Sequence, residues 1–255
     1  MPTKLNHHQI GKGSIIVLLH GYLSSSQYFK SLRKRLSKDH KVISIDLLGH
    51  GKSLHKKIDD YSLDTQIDAL THTLNDLVGN EKITILGHSM GSLIATGYAQ
   101  RYPEKVNRLL LVNPPMFIDY DQAKESIAGT GRAYRLMLFS KYRRVFWAVL
   151  KLMPRFMTRF RSRLSMVDFL RVPIKAREQS LHEVIMQTNI IEELDKITTP
   201  TLVIIGERDR PVYMKNYKNW DIPEHVTVRI NRHGHQFTTF HTDKAEQTIR
   251  DFTQQ

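Results

Sequence analysis

The chain has 255 residues, a formal net charge of +13 and no cysteine, and 40% of its residues are hydrophobic. This length and composition suit one globular domain, and the lack of cysteine excludes disulfides, thiolate zinc sites and cysteine nucleophiles. No apolar run approaches the ~20 residues of a membrane-spanning helix, and the first residues lack the apolar core of a signal peptide. We therefore expect a cytoplasmic protein.

Strand-like and helix-like segments alternate along most of the chain. Runs rich in Val, Ile and Leu predict buried strands, and longer stretches with apolar residues three or four positions apart predict helices. In chain order these are strand 15–20, helix 24–38, strand 41–49, helix 62–78, strand 82–89, helix 90–102, strand 107–115, strands 199–207 and 225–230, and helix 238–254.

This alternation predicts βαβ units, which join strands into a mostly parallel sheet. The near-continuous Val, Ile and Leu runs agree, because parallel strands are buried on both faces. We expect an α/β fold in which helices flank a central sheet of six or seven strands. The first strand should be a short antiparallel piece before Gly11.

Residues 116–197 interrupt the alternation with helix-like segments and no convincing strand. We interpret them as a helical insertion, or cap, in a domain whose core is residues 1–115 and 198–255. The excess of positive charge lies here. Residues 131–164 contain no Asp or Glu and hold ten basic residues: Arg132, Arg135, Lys141, Arg143, Arg144, Lys151, Arg155, Arg159, Arg161 and Arg163.

A candidate nucleophile lies in the sequence ILGHSMG at residues 85–91, which contains the pattern G-x-S-x-G from Gly87 to Gly91. Between a strand and a helix, this pattern forms a sharp turn that holds the serine exposed in strained backbone geometry. The helix N-terminus adds partial positive charge where an oxyanion would form. The pattern alone is a weak signal, but its strand–turn–helix context makes Ser89 our candidate.

A serine nucleophile needs a base that takes its proton and an acid that orients the base. In this architecture the acid and then the histidine follow the serine along the chain. Asp209 and His235 each come just after a late predicted strand. Because the carboxyl ends of parallel strands share one edge of the sheet, both are predicted to lie near Ser89.

Two neighbouring residues compete for these roles. Glu207 is a second candidate acid, but it lies at the strand end itself, so we favour Asp209. His233 is a second candidate base, and we favour His235 because a Gly-His pair after a late strand is the usual placement.

The loop after the first long strand is the candidate oxyanion loop. The mechanism needs two backbone N–H donors aimed at the developing oxyanion, and we assign them to Tyr22 and Met90. The side chains of His20, Leu23 and His88 are assigned to the substrate pocket, with His20 also bracing the loop without reacting. A plain strand-to-helix loop with an N-cap serine explains the same residues, and the two interpretations are compatible.

A second loop, at residues 45–53, carries Asp46 among glycines and a histidine. An isolated aspartate in such a loop invites a metal-site hypothesis. We instead interpret Asp46 as a structural residue that shapes a loop beside the active site, and we expect no metal and no cofactor.

Taken together, these motifs resemble those of the α/β-hydrolase superfamily, over nearly the whole chain. The marks are L-H-G-Y at 19–22, D-L-L-G-H-G-K-S at 46–53, G-H-S-M-G at 87–91, G-E-R-D at 206–209 and G-H at 234–235. The chain departs from the family at Arg210, where a smaller residue is common. The resemblance implies a serine hydrolase with an intact triad and a helical cap that covers the pocket and selects the substrate.

Within that superfamily the pattern is similar to carboxylesterases and monoglyceride-type lipases, and it implies cleavage of a carboxylic ester with a small or acyl-chain substrate. Carbon–carbon bond hydrolases, relatives of the menaquinone-pathway synthase, and non-catalytic ligand-binding homologues remain alternatives. Dehalogenases and epoxide hydrolases use an aspartate nucleophile, so Ser89 argues against both. Prolyl aminopeptidases must bind an ammonium group, which the basic insertion disfavours.

The insertion's aromatic, Met and basic residues suit two interpretations. An apolar pocket roof with basic amphipathic helices predicts weak peripheral association with an anionic membrane. A solvated basic face over ordinary hydrophobic contacts explains the same composition and is favoured. We expect no nucleic-acid partner, because no recognised binding module accompanies the basic segment; the oligomeric state is left open.

Overall fold

Seven β-strands form one sheet in the computed structural model, which describes residues 3–55, 58–152 and 166–253. The strands are β1 (His7–Ile10), β2 (Ile15–Leu19), β3 (Lys41–Ile45), β4 (Ile83–His88), β5 (Val106–Val112), β6 (Thr201–Gly206) and β7 (Val226–Asn231). Their order is β1-β3-β2-β4-β5-β6-β7. β1 pairs antiparallel with β3 and the other neighbours are parallel, which confirms the predicted sheet.

Helices lie on both faces of this sheet. They are α1 (Lys30–Leu36), α2 (Leu63–Val78), α3 (Met90–Arg101), α4 (Tyr120–Ala128), α5 (Arg132–Phe139), α6 (Arg143–Leu152), α7 (Met166–Arg171), α8 (Ile174–Gln179), α9 (Ile190–Asp195), α10 (Pro211–Lys218), α11 (Phe237–Phe240) and α12 (Thr242–Thr253). Two 3₁₀ turns, Ser26–Phe29 and Pro103–Lys105, and a π-helical turn, Ser180–Ile185, complete the described elements.

The alternation of side chains along each strand separates two hydrophobic clusters. Val17 of β2 packs in a cluster with residues of α2 and α3, including Leu70 and Leu93. Its neighbour Leu18 points to the opposite face, where it packs in a cluster with residues of α1 and α12 such as Leu32. Burial of each such apolar side chain contributes about 1.5–3 kcal/mol to the free energy of folding. The packing on both faces of the sheet therefore stabilises the fold.

The structure differs from the predicted elements at several places. The strand predicted at 41–49 ends at Ile45, and the strand predicted at 107–115 ends at Val112. The helix predicted at 24–38 begins as the 3₁₀ turn, and the helix predicted at 238–254 is interrupted at His241. Helix α10 was not predicted, because its eight residues are mostly polar or aromatic and show no clear apolar period. Pro211 supplies its start, since proline fits the first turn of a helix.

The segment between β5 and β6 contains α4 to α9 and the π-helical turn, and its described residues include no strand. The boundaries 116 and 197 of the insertion stay a prediction. On its described surface Leu136, Tyr142 and Val145 are exposed among basic residues. The predicted basic residues Arg155, Arg159, Arg161 and Arg163, and the side chains of Arg144 and Lys151, lie outside the described part. Among the described residues, no helix is both long and apolar enough to cross a bilayer.

Candidate active site

Ser89 lies at the sharp turn between β4 and α3. Its backbone has φ 53° and ψ −122°, a conformation that non-glycine residues adopt at a cost. The flanking glycines are required by close packing, because a Cβ on Gly87 would lie 2.5 Å from the Gly91 carbonyl oxygen and one on Gly91 would lie 2.3 Å from that of Leu19. The backbone N–H of Ser89 donates to Val112 O at 2.9 Å, which ties the turn to β5.

Asp209 and His235 are in direct contact. The ring Nδ1 of His235 donates to Oδ2 of Asp209 at 2.7 Å, and the aspartate side chain is 6% exposed against 36% for the histidine. A carboxylate at this position holds the imidazole in one tautomer and orientation. The competing residues lie elsewhere, since Glu207 is exposed and the ring of His233 stacks on that of His241 with centroids 3.6 Å apart.

A cavity of about 730 Å³ connects these groups, and its lining includes Ser89, Asp209 and His235. Its apolar wall comes largely from the helices between β5 and β6, which contribute Ile127, Leu138, Phe169, Leu181 and Ile185. Within the described part of the chain, the Ser89 hydroxyl makes no hydrogen bond to His235. Such bonds are often long without substrate and shorten in the complex.

The predicted oxyanion loop passes directly over Ser89. A Cβ on Gly21 would lie 3.0 Å from Ser89 Cβ, so the loop runs close to the Ser89 side chain and leaves no room for a larger residue there. Tyr22 and Leu23 line the cavity. Met90 is the first residue of α3, where backbone N–H groups have no acceptor within the helix. The loop and the helix start therefore flank Ser89 with backbone donors.

The structure corrects one pocket residue. His20 is fully buried and is absent from the cavity lining. Both ring nitrogens are taken by backbone groups, because Nδ1 donates to Gly21 O at 2.7 Å and Nε2 accepts from Leu47 N–H at 3.0 Å. Burial lowers the pKa of His20. The ring braces the loop, as predicted, but it does not reach the substrate cavity.

His88, the residue before Ser89, also lines the cavity. Its Nε2 donates to the backbone carbonyl of His235 at 2.7 Å, and its ring stacks on Tyr28 with centroids 4.6 Å apart. Burial, followed by the charge of nearby His235, lowers the pKa of His88 to about 3. His88 is thus a neutral donor that holds the loop of His235 in position.

Asn113 is a residue that the sequence analysis missed. It follows β5 with φ 48° and is 1% exposed. Its Oδ1 accepts from Gly206 N–H at 2.7 Å, at the end of β6, and its Nδ2 donates to His235 O at 3.0 Å and to Gly234 O at 3.2 Å. One amide thus joins the strand that leads to Asp209 with the loop that carries His235. In the sequence, Asn113 stands between a strand-like run and two prolines, which indicates a turn but not these contacts.

Asp46 has the structural role predicted for it. Its carboxylate accepts from the backbone N–H groups of Ser26 at 2.7 Å and Lys52 at 2.9 Å, and from Asn6 Nδ2 at 2.7 Å. Burial would raise the pKa of Asp46, but the hydrogen bonds from Ser26 and Lys52 and the charge of His20 outweigh it and lower the pKa. Among the described residues, no group of three or more His, Asp or Glu is placed to hold a metal ion.

The fold and these motifs agree with the family comparison. A model of the α/β-hydrolase fold family matches residues 14–238. The chain belongs to the α/β-hydrolase family. Lipase 3 of Moraxella sp. (strain TA144) is 27% identical over 232 residues, which cover 88% of this chain and 72% of that protein. A cis-3-alkyl-4-alkyloxetan-2-one decarboxylase of Shewanella oneidensis is 38% identical over 119 residues, 45% of this chain and 37% of that protein.

Solved α/β-hydrolases show the same architecture. The esterase EaEST of Exiguobacterium antarcticum superposes with a TM-score of 0.75 at 21% identity, covering 99% of this chain and 96% of that one. At this identity the likeness shows the fold. The chain spans only about a third of the length of several curated relatives that it matches. The similarities support a hydrolase role within the family.

Proposed function

We propose that the chain is a serine hydrolase that cleaves a carboxylic ester through an acyl-enzyme formed on Ser89. The supporting observation is the 2.7 Å contact between His235 and Asp209 on the lining of the cavity that also contains Ser89. The esterase and lipase named among the similar proteins agree with this proposal.

The first half of the reaction forms the acyl-enzyme. His235 takes the hydroxyl proton of Ser89 as its oxygen attacks the ester carbonyl, and Asp209 stabilises the imidazolium that results. The carbonyl oxygen becomes an oxyanion, which accepts hydrogen bonds from the backbone N–H groups of Tyr22 and Met90. His235 then gives its proton to the departing alcohol.

The second half regenerates the enzyme. His235 takes a proton from water, whose oxygen attacks the acyl carbonyl, and returns that proton to the Ser89 oxygen as the carboxylic acid leaves. The positive φ of Ser89 keeps its side chain clear of the strand and helix on either side. The aliphatic and aromatic cavity walls suit an acyl chain or another apolar group.

The experiment is turnover of p-nitrophenyl esters of increasing acyl length by the wild-type chain and by Ser89→Ala. We expect turnover by the wild type and a loss of at least about 10³-fold in the variant. Equal thermal midpoints of the two proteins show that the substitution left the fold intact. Full activity of Ser89→Ala contradicts the proposal.

A second outcome separates this function from its alternatives. If every simple ester is a poor substrate while a vinylogous diketone or a pyruvyl compound is consumed with dependence on Ser89, the chain is a carbon–carbon hydrolase or lyase. If no substrate reacts but acyl compounds raise the thermal midpoint, the chain is a ligand-binding homologue. Either result replaces the ester hydrolase assignment.

A further inference from the structure

The charged side chains of the substrate cavity are unequally divided between cations and anions. Among the described lining residues, the ionisable groups other than histidine and tyrosine are Arg208, Asp209 and Arg210. All three lie in the turn that follows β6. The two guanidinium groups outnumber the one carboxylate, which is hydrogen-bonded to His235, so these three side chains together carry a net positive charge.

Arg208 is the free cation of this group. Its side chain is exposed, and within residues 3–55, 58–152 and 166–253 it forms no ion pair or side-chain hydrogen bond. The residues outside these ranges contain no Asp or Glu, so none of their side chains can neutralise it. The backbone is nevertheless fixed, since the N–H of Arg208 donates to His233 O at 3.2 Å.

The side chain of Arg210, unlike that of Arg208, is fixed by hydrogen bonds. Its Nη1 donates to Ser126 O at 2.9 Å and to Thr130 Oγ1 at 2.8 Å, so its guanidinium is placed at the C-terminal end of α4. A cation is favourable there because the last helix carbonyls carry partial negative charge. Neither partner is an anion, and Arg210 therefore keeps its full charge beside the cavity.

We infer that this pair of arginines selects a substrate carrying a carboxylate, so that the chain cleaves an ester with one anionic group and one apolar part. This inference rests on the proposed ester hydrolysis and names its substrate class. Guanidinium groups bind carboxylates through paired, charge-assisted hydrogen bonds. A singly charged carboxylate also matches the net positive charge of Arg208, Asp209 and Arg210, and it is less costly to place among apolar walls than a doubly charged phosphate.

The sequence position of the two arginines agrees with a role in selection. They flank Asp209, so a carboxylate that they bind lies within the same cavity as the reacting ester. The remaining described walls carry no Asp, Glu, Lys or Arg, and they include large apolar side chains such as Phe117, Phe169 and Leu181 beside uncharged polar groups. Charge and hydrophobicity are thus separated within one cavity, which orients a substrate that has both.

The test compares matched ester pairs that differ only in one charge. In the first pair, p-nitrophenyl hydrogen adipate carries a carboxylate on the acyl side, and p-nitrophenyl methyl adipate is its neutral counterpart. In the second pair, 4-acetoxybenzoate carries a carboxylate on the alcohol side, and its methyl ester is the neutral counterpart. Each kcat/KM is corrected for background with Ser89→Ala and divided by the ester's rate constant for hydroxide hydrolysis.

We expect the wild type to prefer the charged member of at least one pair by about tenfold or more, the effect of one or two charge-assisted hydrogen bonds. Arg208→Gln should remove most of this preference and raise KM for the charged ester much more than for the neutral ester. Raising NaCl to 0.5 M should also reduce it, because salt screens exposed charges. Arg229→Gln, an exposed arginine on β7 outside the cavity lining, is the matched control.

Three results overturn the inference. The first is equal corrected kcat/KM for both members of both pairs in a wild type that hydrolyses them through Ser89. The second is a preference that survives in Arg208→Gln and in the double variant Arg208→Gln/Arg210→Gln. The third is an equal loss in Arg229→Gln, which would indicate a general effect of net charge. Activity that persists in Ser89→Ala instead refutes the proposed function, so the two failures are distinguishable.

Discussion

The side-chain amide of Asn113 donates to the backbone carbonyl of His235 at 3.0 Å. The same amide accepts the N–H of Gly206 at 2.7 Å, three residues before Asp209. Because His88 Nε2 also donates to the His235 carbonyl, at 2.7 Å, two buried side chains fix the backbone of the proposed base. Asn113 is therefore a positioning residue that acts through Asp209 and His235.

The substitution Asn113→Asp tests this role. Aspartate tolerates a positive φ and still accepts the Gly206 N–H, but it donates to neither carbonyl and places a negative charge against both. We expect kcat for a p-nitrophenyl ester to fall about 10–100-fold with little change in KM, because a small misplacement of reacting groups has effects of this size. Asn107→Asp, at an exposed position of β5, is the control. A change confined to KM would contradict the positioning role.

The pairing of Asp209 with His235 predicts a larger effect on chemistry than on stability. In Asp209→Asn the amide no longer stabilises the imidazolium and can impose the wrong ring tautomer, so we expect kcat to fall by about 10³–10⁴-fold. Glu207→Gln should leave kcat within about twofold, as expected for an exposed side chain that is not part of the cavity lining. Steady-state kinetics of both variants decide whether Asp209 or Glu207 orients the histidine. A larger loss of kcat in Glu207→Gln than in Asp209→Asn would assign this role to Glu207.

The buried side chains of His50 and His88 should make the free energy of unfolding decrease at acidic pH. Burial, then the charge of a neighbouring histidine, lowers the pKa of both His50 and His88 to about 3. The unfolded chain therefore binds their protons between pH 6.5 and about 3 while the folded chain does not, so stability is full above pH 6.5 and falls as the pH decreases. Each histidine should cost about 2 kcal/mol between pH 6.5 and pH 5.

Urea unfolding at pH 5 and pH 7 measures this slope. His50→Asn keeps a donor for Leu48 O, the partner of His50 Nδ1, and it should reduce the pH dependence by the share that His50 contributes, about 2 kcal/mol. His72→Asn, a partly exposed position on α2, should retain it. A slope that is the same in all three proteins would show that these histidines do not cause it.

The loop-bracing role of His20 makes a separate prediction about stability. In His20→Ala the buried N–H of Leu47 loses its acceptor, and an unpaired buried donor costs about 1–3 kcal/mol. We expect the free energy of unfolding to fall by that amount, and kcat to fall more than KM changes, because the loop that ends in Tyr22 is loosened. An effect on KM alone would return His20 to the substrate pocket.

The peripheral membrane association suggested by the insertion stays a prediction. Its described surface exposes Leu136, Tyr142 and Val145 among basic residues, a composition suited to an anionic lipid surface. Co-sedimentation with phosphatidylserine vesicles should be measurable at low salt, be lost in high salt, and weaken in Arg135→Glu/Lys141→Glu. Binding that ignores lipid charge, or no binding at all, favours a solvated basic face.

Local patterns were sufficient for the fold and for the proposed triad. Ser89 stands out because strand, turn and helix are contiguous in sequence, and Asp209 and His235 because each directly follows a strand of a parallel sheet. The mostly parallel sheet and the antiparallel first strand were predicted from the same patterns, whereas the order of the strands was not. These features depend on short-range preferences that a single sequence displays.

The remaining features depend on contacts between distant residues. Asn113 bonds to Gly206, 93 positions away, and nothing near it in sequence indicates that contact. The ring of His20 faces inward because it forms hydrogen bonds with the backbone of Gly21 and Leu47. Its position in the loop alone did not reveal these contacts, so it was wrongly assigned to the pocket. The hydrogen bond from Arg210 to Ser126 O likewise joins residues 84 positions apart. The sequence showed that Arg210 differs from the family pattern, but it did not show this contact.

The account depends most on the reactivity of Ser89, and covalent labelling tests that reactivity directly. The chain is treated with a fluorophosphonate, digested, and analysed by mass spectrometry to locate the modified residue. We expect one label on the peptide that contains Ser89, labelling at least tenfold slower in His235→Gln because the serine loses its base, and no label in Ser89→Ala. A label on another serine, or unchanged labelling of Ser89→Ala, would contradict the central claim.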